Sequence, residues 1–200
     1  MPVSVSRSVE DVKAFQAAHK NHLGKPLTVD GAWGPQSQWA FEFATLSPLR
    51  RAIVERAQQH IGLTEDPPGS NRDPLGLIED WLDDCRALPG QPWCAAFASH
   101  CLGTVRIAGA QALGKHFPPT VSPYPGDVVW YPTNGWQGHC GIVIGASPDE
   151  VMSIEGNSDN AVRCVRRKRA GLHFATTVES HIGICPGVVP SVPMAGGGTR

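Results

Sequence analysis

Cys94 lies in the stretch Pro92-Trp93-Cys94-Ala95-Ala96-Phe97, where a proline followed by an apolar run predicts a buried helix that continues towards Leu102, with Pro92 at an early helical position. A thiol in the first turn of a helix sits among backbone N–H groups without intrahelical partners, at the positive end of the helix dipole. That setting lowers its pKa and supplies donors for an oxyanion. A nucleophilic cysteine needs a base, and the base needs a group that orients its ring. His139 follows the turn-like Gly135-Trp136-Gln137-Gly138 and opens a β-branched run, Gly141-Ile142-Val143-Ile144. Glu155 ends the next such run, and Asn157 stands two residues on. If strand geometry persists that far, period-two alternation puts Glu155 and Asn157 on one face, and either could accept a hydrogen bond from the imidazole. The chemistry is attack of a thiolate on a carbonyl carbon.

The other reactive side chains fit this scheme less well. Six cysteines, Cys85, Cys94, Cys101, Cys140, Cys164 and Cys185, are too dispersed for a disulfide framework and form no Cys-x-x-Cys pair. Cys94 and Cys101 are seven residues apart on one predicted helix, about 10 Å along its axis, too far to bridge. Reduced thiols are expected. The neighbours His100-Cys101 and His139-Cys140 diverge on a helix or a strand, so neither suggests a metal site, and no metal or cofactor is expected. Cys140 should face away from His139 as a small core residue. His60, His100, His173 and His181 read as surface or satisfied core residues. Asp127 follows a turn and is read as a cap. The basic run Arg166-Arg167-Lys168-Arg169 is read as protection of an exposed strand edge, the alternative being attraction for an anionic polymer.

These groups need elements to carry them. Residues 9–46 predict a compact helical unit, with Val12, Phe15 and Gln16 on one helix and Trp39, Ala40, Phe43 and Ala44 on one face of another. Between them Asp30-Gly31 and Gly34-Pro35 mark turns on either side of Trp33. Ser47-Pro48 marks a boundary. A helix over 49–61, a breaker-rich connection, a short helix around 78–82, the cysteine helix and an irregular stretch over 103–123 follow. From Pro125 the texture changes to short β-branched runs at 128–131, 141–144, 151–155, 162–165 and 181–184. Helices first and strands after predict an α+β fold in which an antiparallel sheet packs on the cysteine helix. The tail over 188–200 has no periodicity.

Composition narrows the partners. A formal charge of −1 gives no global attraction for nucleic acid or an anionic surface, and 41% apolar residues suffice for a core. No run of about eighteen apolar residues predicts a membrane span, so no membrane insertion is expected. The opening residues lack the apolar core of a secretory signal, which predicts synthesis in the cytoplasm.

Four motifs, Pro92-Trp93-Cys94-Ala95-Ala96-Phe97, Pro125-Gly126-Asp127-Val128-Val129, Gly138-His139-Cys140-Gly141 and Ile154-Glu155-Gly156-Asn157-Ser158, occur in the order found in the CHAP family of cysteine, histidine-dependent amidohydrolases and peptidases, which the chain resembles. Cys140 stands where that family more often has Val or Thr. The stretch Asp30-Gly31-Ala32-Trp33-Gly34-Pro35 and the helix after it resemble the small three-helix peptidoglycan-binding domain, with Ser37 in place of the usual Thr and Phe41-Glu42-Phe43-Ala44 in place of the usual ending. The resemblances imply a binding unit over 1–46 and a papain-like catalytic domain over 47–187. They imply Cys94 as nucleophile, His139 as base, Glu155 as orienting acid and Asn157 as a supporting polar group. Trp93, Trp136 and Trp33 are expected to contact substrate. The implied activity is hydrolysis of an amide of the peptidoglycan stem peptide, as an N-acetylmuramoyl-L-alanine amidase or an endopeptidase, by a monomer acting on the bacterial wall or periplasm. A phage endolysin and an antibacterial effector delivered by a secretion machine both fit. A non-hydrolytic wall-binding protein and a papain-like transferase are the rival classes.

Overall fold

A computed structural model describes residues 8–177, and the expected strand over 181–184, Cys185 and the tail lie outside them. The fold is α+β. In chain order come α1 (Val9–Ala18), α2 (Pro35–Ala44), α3 (Pro48–Gln59), α4 (Leu77–Asp84), α5 (Cys94–Leu102), α6 (Ala110–His116), β1 (Val128–Asn134), β2 (Gln137–Ala146), β3 (Glu150–Glu155), β4 (Arg163–Lys168) and β5 (His173–Ala175). Neighbouring strands are antiparallel, in the order β4-β3-β2-β1-β5.

Local chemistry sets the boundaries. Ser8 and Ser47 cap α1 and α3 by accepting from the N–H groups of Asp11 and Arg50, and prolines open α2 and α3, where a missing N–H leaves no bond unmade. Gly103, at φ +76°, ends α5 in the left-handed conformation that a helix C-terminus favours. Pro92 lies outside α5, contrary to the sequence expectation: Trp93 is the capping residue and Cys94 the first helical one. The stretch over 103–123, expected to be irregular, contains α6. Its Gly114 disfavours a helix by about 1 kcal/mol relative to Ala. In the fold that glycine is required, because a Cβ there would lie 2.2 Å from the Trp130 ring.

α5 is the central helix. Every residue from Cys94 to Leu102 except His100 is buried, between α3 and α4 on one side and the sheet on the other. Along β2, Cys140, Ile142 and Ile144 join the core that contains Trp93, Phe97 and Leu102, whereas Val143 belongs to a smaller cluster with Val129, Val151 and Phe174. The alternation of a strand thus divides the sheet into a helix-covered face and a second apolar face.

The described part of the N-terminal unit, residues 8–46, is continuous with this core. Leu27, Trp39 and Ala40 pack in the cluster that holds α3, α4 and α5. The β2–β3 register shifts between Val143 and Gly145, and the Ile144 carbonyl at this bulge accepts a 2.8 Å bond from the Trp39 indole. Within the unit, buried Gln16 accepts from the N–H groups of Asp30 and Gly31, and Asp30 accepts from Ala32 N–H. The expected Asp-Gly turn is therefore present and tied to α1.

Candidate active site

Cys94 is the first residue of α5, and the first intrahelical bond runs from Phe97 N–H to the Trp93 carbonyl. The N–H groups of Cys94, Ala95 and Ala96 therefore have no partner inside the helix, as at any helix start. The thiol is almost wholly buried, yet it is held well below the ordinary cysteine range. Side-chain hydrogen bonds from Cys140 and from His139, together with the charge of the imidazole, outweigh the burial that opposes ionisation.

His139 is the third residue of β2, beside Tyr131 of β1. Its Nε2 lies 3.0 Å from Glu155 Oε2, so the nitrogen left for Cys94 is Nδ1. Burial alone would lower the pKa of this ring. Hydrogen bonds to Cys94 and Glu155, and their charges, raise it to about 9. Thiol and imidazole thus favour the thiolate–imidazolium form, in which the nucleophile is already charged and a proton is ready for a leaving group.

Glu155, the last residue of β3, is fully buried. Burial penalises its charge, but bonds from His139, Arg167 and Ser153 hold it at about 2. Arg167 of β4 forms a fork on it, with Nε 3.0 Å from Oε1 and Nη2 2.6 Å from Oε2, and its guanidinium lies 5.1 Å from the Tyr131 ring centroid. Ser153 donates to Oε1 at 2.7 Å. Gly141 makes room for the carboxylate: a Cβ there would stand 2.6 Å from Glu155 Cγ and 2.8 Å from the Ile154 carbonyl oxygen.

The structure therefore bonds His139 to Glu155, with Cys94 among the groups that act on the same ring, and sets Asn157 aside. Alternation does not persist past Glu155, because Asn157 adopts φ +54°, and its side chain donates to Asn71 Oδ1 at 3.2 Å. Trp93 is corrected as a substrate contact. It is wholly buried, with its indole N–H given to buried Glu65 at 2.8 Å, and it supports the start of α5. Asn71 strengthens that support, donating its N–H to Glu65 and its side-chain amide to the Gly90 carbonyl. Trp136 is 86% exposed beside the β1–β2 turn, two residues before Gly138. Trp33 is half-buried, with its indole N–H on Gln38 and its ring near Phe15 and Phe41.

Three contributors escaped the sequence reading. Arg167 was read with its run as guarding an edge or attracting an anionic polymer; β4 is an edge strand, but this arginine turns back onto Glu155. Glu65 lies in a breaker-rich connection that carries no catalytic signal. Cys140, wholly buried, joins Cys94 in the helix-covered core, and its thiol is one of the groups that lower the Cys94 pKa. Asp127 accepts from Tyr124 N–H, as a cap would, and also pairs with Arg50 at 2.9 Å. His60 and His100, read as bystanders, face each other with Nε2 atoms 3.3 Å apart.

A cavity of about 880 Å³ beside α6 and β5, walled by Phe117, Trp130, His173 and Phe174, includes none of Cys94, His139 and Glu155. Among the described residues no helix is long and apolar enough to cross a membrane. Comparison of the chain with family models, curated proteins and solved structures gives no match.

Proposed function

We propose that the protein is a CHAP-type cysteine amidohydrolase with a papain-like catalytic core that cuts an amide of the peptidoglycan stem peptide. The observation that carries the chemistry is the His139 ring, bound through Nε2 to buried Glu155 at 3.0 Å and held protonated by Cys94 and Glu155 together. The substrate assignment rests on the four ordered motifs and on the Asp-Gly-x-x-Gly-Pro unit, which would bind the wall polymer.

In this mechanism the Cys94 thiolate adds to the amide carbonyl carbon, and free N–H groups at the start of α5, that of Cys94 among them, stabilise the oxyanion. The His139 imidazolium gives its proton to the departing amine as the C–N bond breaks, leaving a thioester on Cys94. The ring, now neutral, takes a proton from water, and the resulting hydroxide equivalent attacks the thioester. The C–S bond breaks, the acid product leaves, and the thiolate–imidazolium pair returns. Glu155 stays ionised throughout and holds the ring in place. Arg167 and Ser153 fix the carboxylate.

Digestion of purified peptidoglycan with wild type and Cys94→Ala, with mass spectrometry of the new termini, tests this reading. Wild type is expected to release fragments and the variant none. New L-alanine amino termini identify an amidase, and new ends within the stem an endopeptidase. Equal release by both proteins refutes the mechanism.

A further inference from the structure

Two half-buried imidazoles meet at the end of α5 opposite Cys94. His60 is the capping residue at the C-terminus of α3, and His100 lies in the last turn of α5. Their Nε2 atoms are 3.3 Å apart, with ring centroids 5.2 Å apart and ring planes inclined at 68°. Trp81 of α4 walls the pair, its ring 4.9 Å from that of His60 and 5.3 Å from that of His100, and Phe97 lies 6.2 Å from His60. The contact is a hydrogen bond between two ring nitrogens, and it has room for one proton. One ring donates its Nε2–H, and the other accepts on a bare Nε2.

We propose that His60 and His100 form an acid-labile latch between the C-terminal ends of α3 and α5, closed while one Nε2 is bare and opened when both rings are protonated. A proton that arrives at Nδ1 of the donor ring leaves the bond in place. A further proton on the accepting Nε2 sets two N–H groups and two positive charges against each other at 3.3 Å, and the rings must part. Opening loosens the far end of the helix whose first residue is Cys94.

The surrounding charges set how hard that second proton is to add. Arg56 of α3 lies against the end of α5, its Nε donating to the Cys101 carbonyl at 2.6 Å and its Nη2 to the Leu102 carbonyl at 3.1 Å. Those carbonyls form the negative pole of α5, which would otherwise favour a cationic His100. Arg106, beyond the helix, is a second cation near His100 and is paired with Asp84 of α4 at 3.6 Å. Asp84 favours a charged His100 and Asp73 a charged His60, but the Asp73 carboxylate also accepts from the N–H groups of Leu75 and Ile78. Burial is the largest influence on each ring and holds both below the ordinary value of 6.5; at His100 the charges of His60, Arg56 and Arg106 add to it. The unfolded chain therefore takes up these protons at higher pH than the folded one. The stability that the latch contributes is complete above about pH 6.5 and is lost as pH falls through the lowered values.

The test is an NMR titration of the imidazole nitrogens of the full chain on the acid side of neutrality. Beside it, hydrogen exchange of the α5 amides is followed by mass spectrometry and corrected for the intrinsic pH dependence of exchange. In wild type, His60 and His100 are expected to titrate in two separate steps, both below 6.5. Corrected exchange at the end of α5 should rise about fivefold across the second step, as for the loss of one hydrogen bond. In His60→Gln the His100 pKa should rise, because the charge of the His60 ring is gone. In that variant and in His100→Gln the exchange step should vanish, since an amide accepts from a charged ring as readily as it donates to a neutral one. Titration of both rings in one step near 6.5, α5 exchange that is flat across the second step, or an exchange step that persists in both variants would overturn the proposal. The wild-type titration decides the matter even if a variant fails to fold. Neither readout depends on turnover, so the outcome is independent of the proposed hydrolase activity.

Discussion

A carboxylate that is wholly buried and ionised must be matched by positive charge, and Glu155 is matched from two sides, by His139 and by Arg167. The mechanism we propose needs an ionised glutamate, a thiolate and a protonated imidazole together. Its alkaline limit is therefore set by His139 at about 9, where loss of the ring proton removes the general acid. Peptidoglycan release is expected to hold through neutral pH and fall as pH rises through that value. Glu155→Gln removes one of the bonds that keep the ring protonated, so the alkaline limb should move to lower pH as kcat falls about 10²- to 10⁴-fold. A pH profile of kcat/KM for wild type and variant reads both effects. Arg167→Ala should lower kcat about 10- to 100-fold, the equivalent of a charged hydrogen bond of about 1.5–3 kcal/mol. Arg167→Lys should recover only part of this, since an ammonium cannot span both carboxylate oxygens in a fork. Full activity in Arg167→Ala, measured on the same substrate, would show that the fork is not needed.

Elements place these residues where no single side chain could. The start of α5 gives Cys94 its free N–H groups, the end of β3 delivers Glu155, and the early part of β2 holds His139 opposite both. Between β2 and β3 the fit depends on Gly141. Gly141→Ala forces a Cβ into Glu155 Cγ and the Ile154 carbonyl, and is expected to displace the carboxylate from His139. It should reduce turnover and lower the pH at which the imidazole titrates while the fold survives, as followed by NMR of the ring together with circular dichroism. Most of these elements were legible from local patterns: the apolar run after Pro92, the β-branched runs at 128–131 and 141–144, and the Asp-Gly turn. α6 was not, because Gly114 argues against a helix until Trp130 is seen packed on it. Nor was β5, whose three residues carry too short a pattern to register.

At the scale of the molecule, the two regions suggested by the sequence share one interior. Trp39 joins the main core and bonds to Ile144 at the β2 bulge, so the N-terminal helices brace the strand that carries His139. Trp39→Phe is expected to cost about 1–3 kcal/mol, as the buried Ile144 carbonyl loses its indole donor, and denaturant unfolding measures it. Removal of residues 1–46 should lower the Tm of the remainder; an unchanged Tm would show that the shared interior is dispensable. The sequence by itself determined the reactive pieces: a cysteine at a helix start, a histidine in a strand, and an acid at the end of the next strand. Period, capping and turn chemistry act over a few residues, and a linear chain displays them. Only the tertiary structure decided which residues meet. It chose Glu155 over Asn157 because the backbone turns left-handed after the strand. It drew Arg167 in from the edge and buried Trp93 on Glu65. Those contacts depend on strand register and on how α5 lies across the sheet, and both are set by packing among residues far apart in the chain.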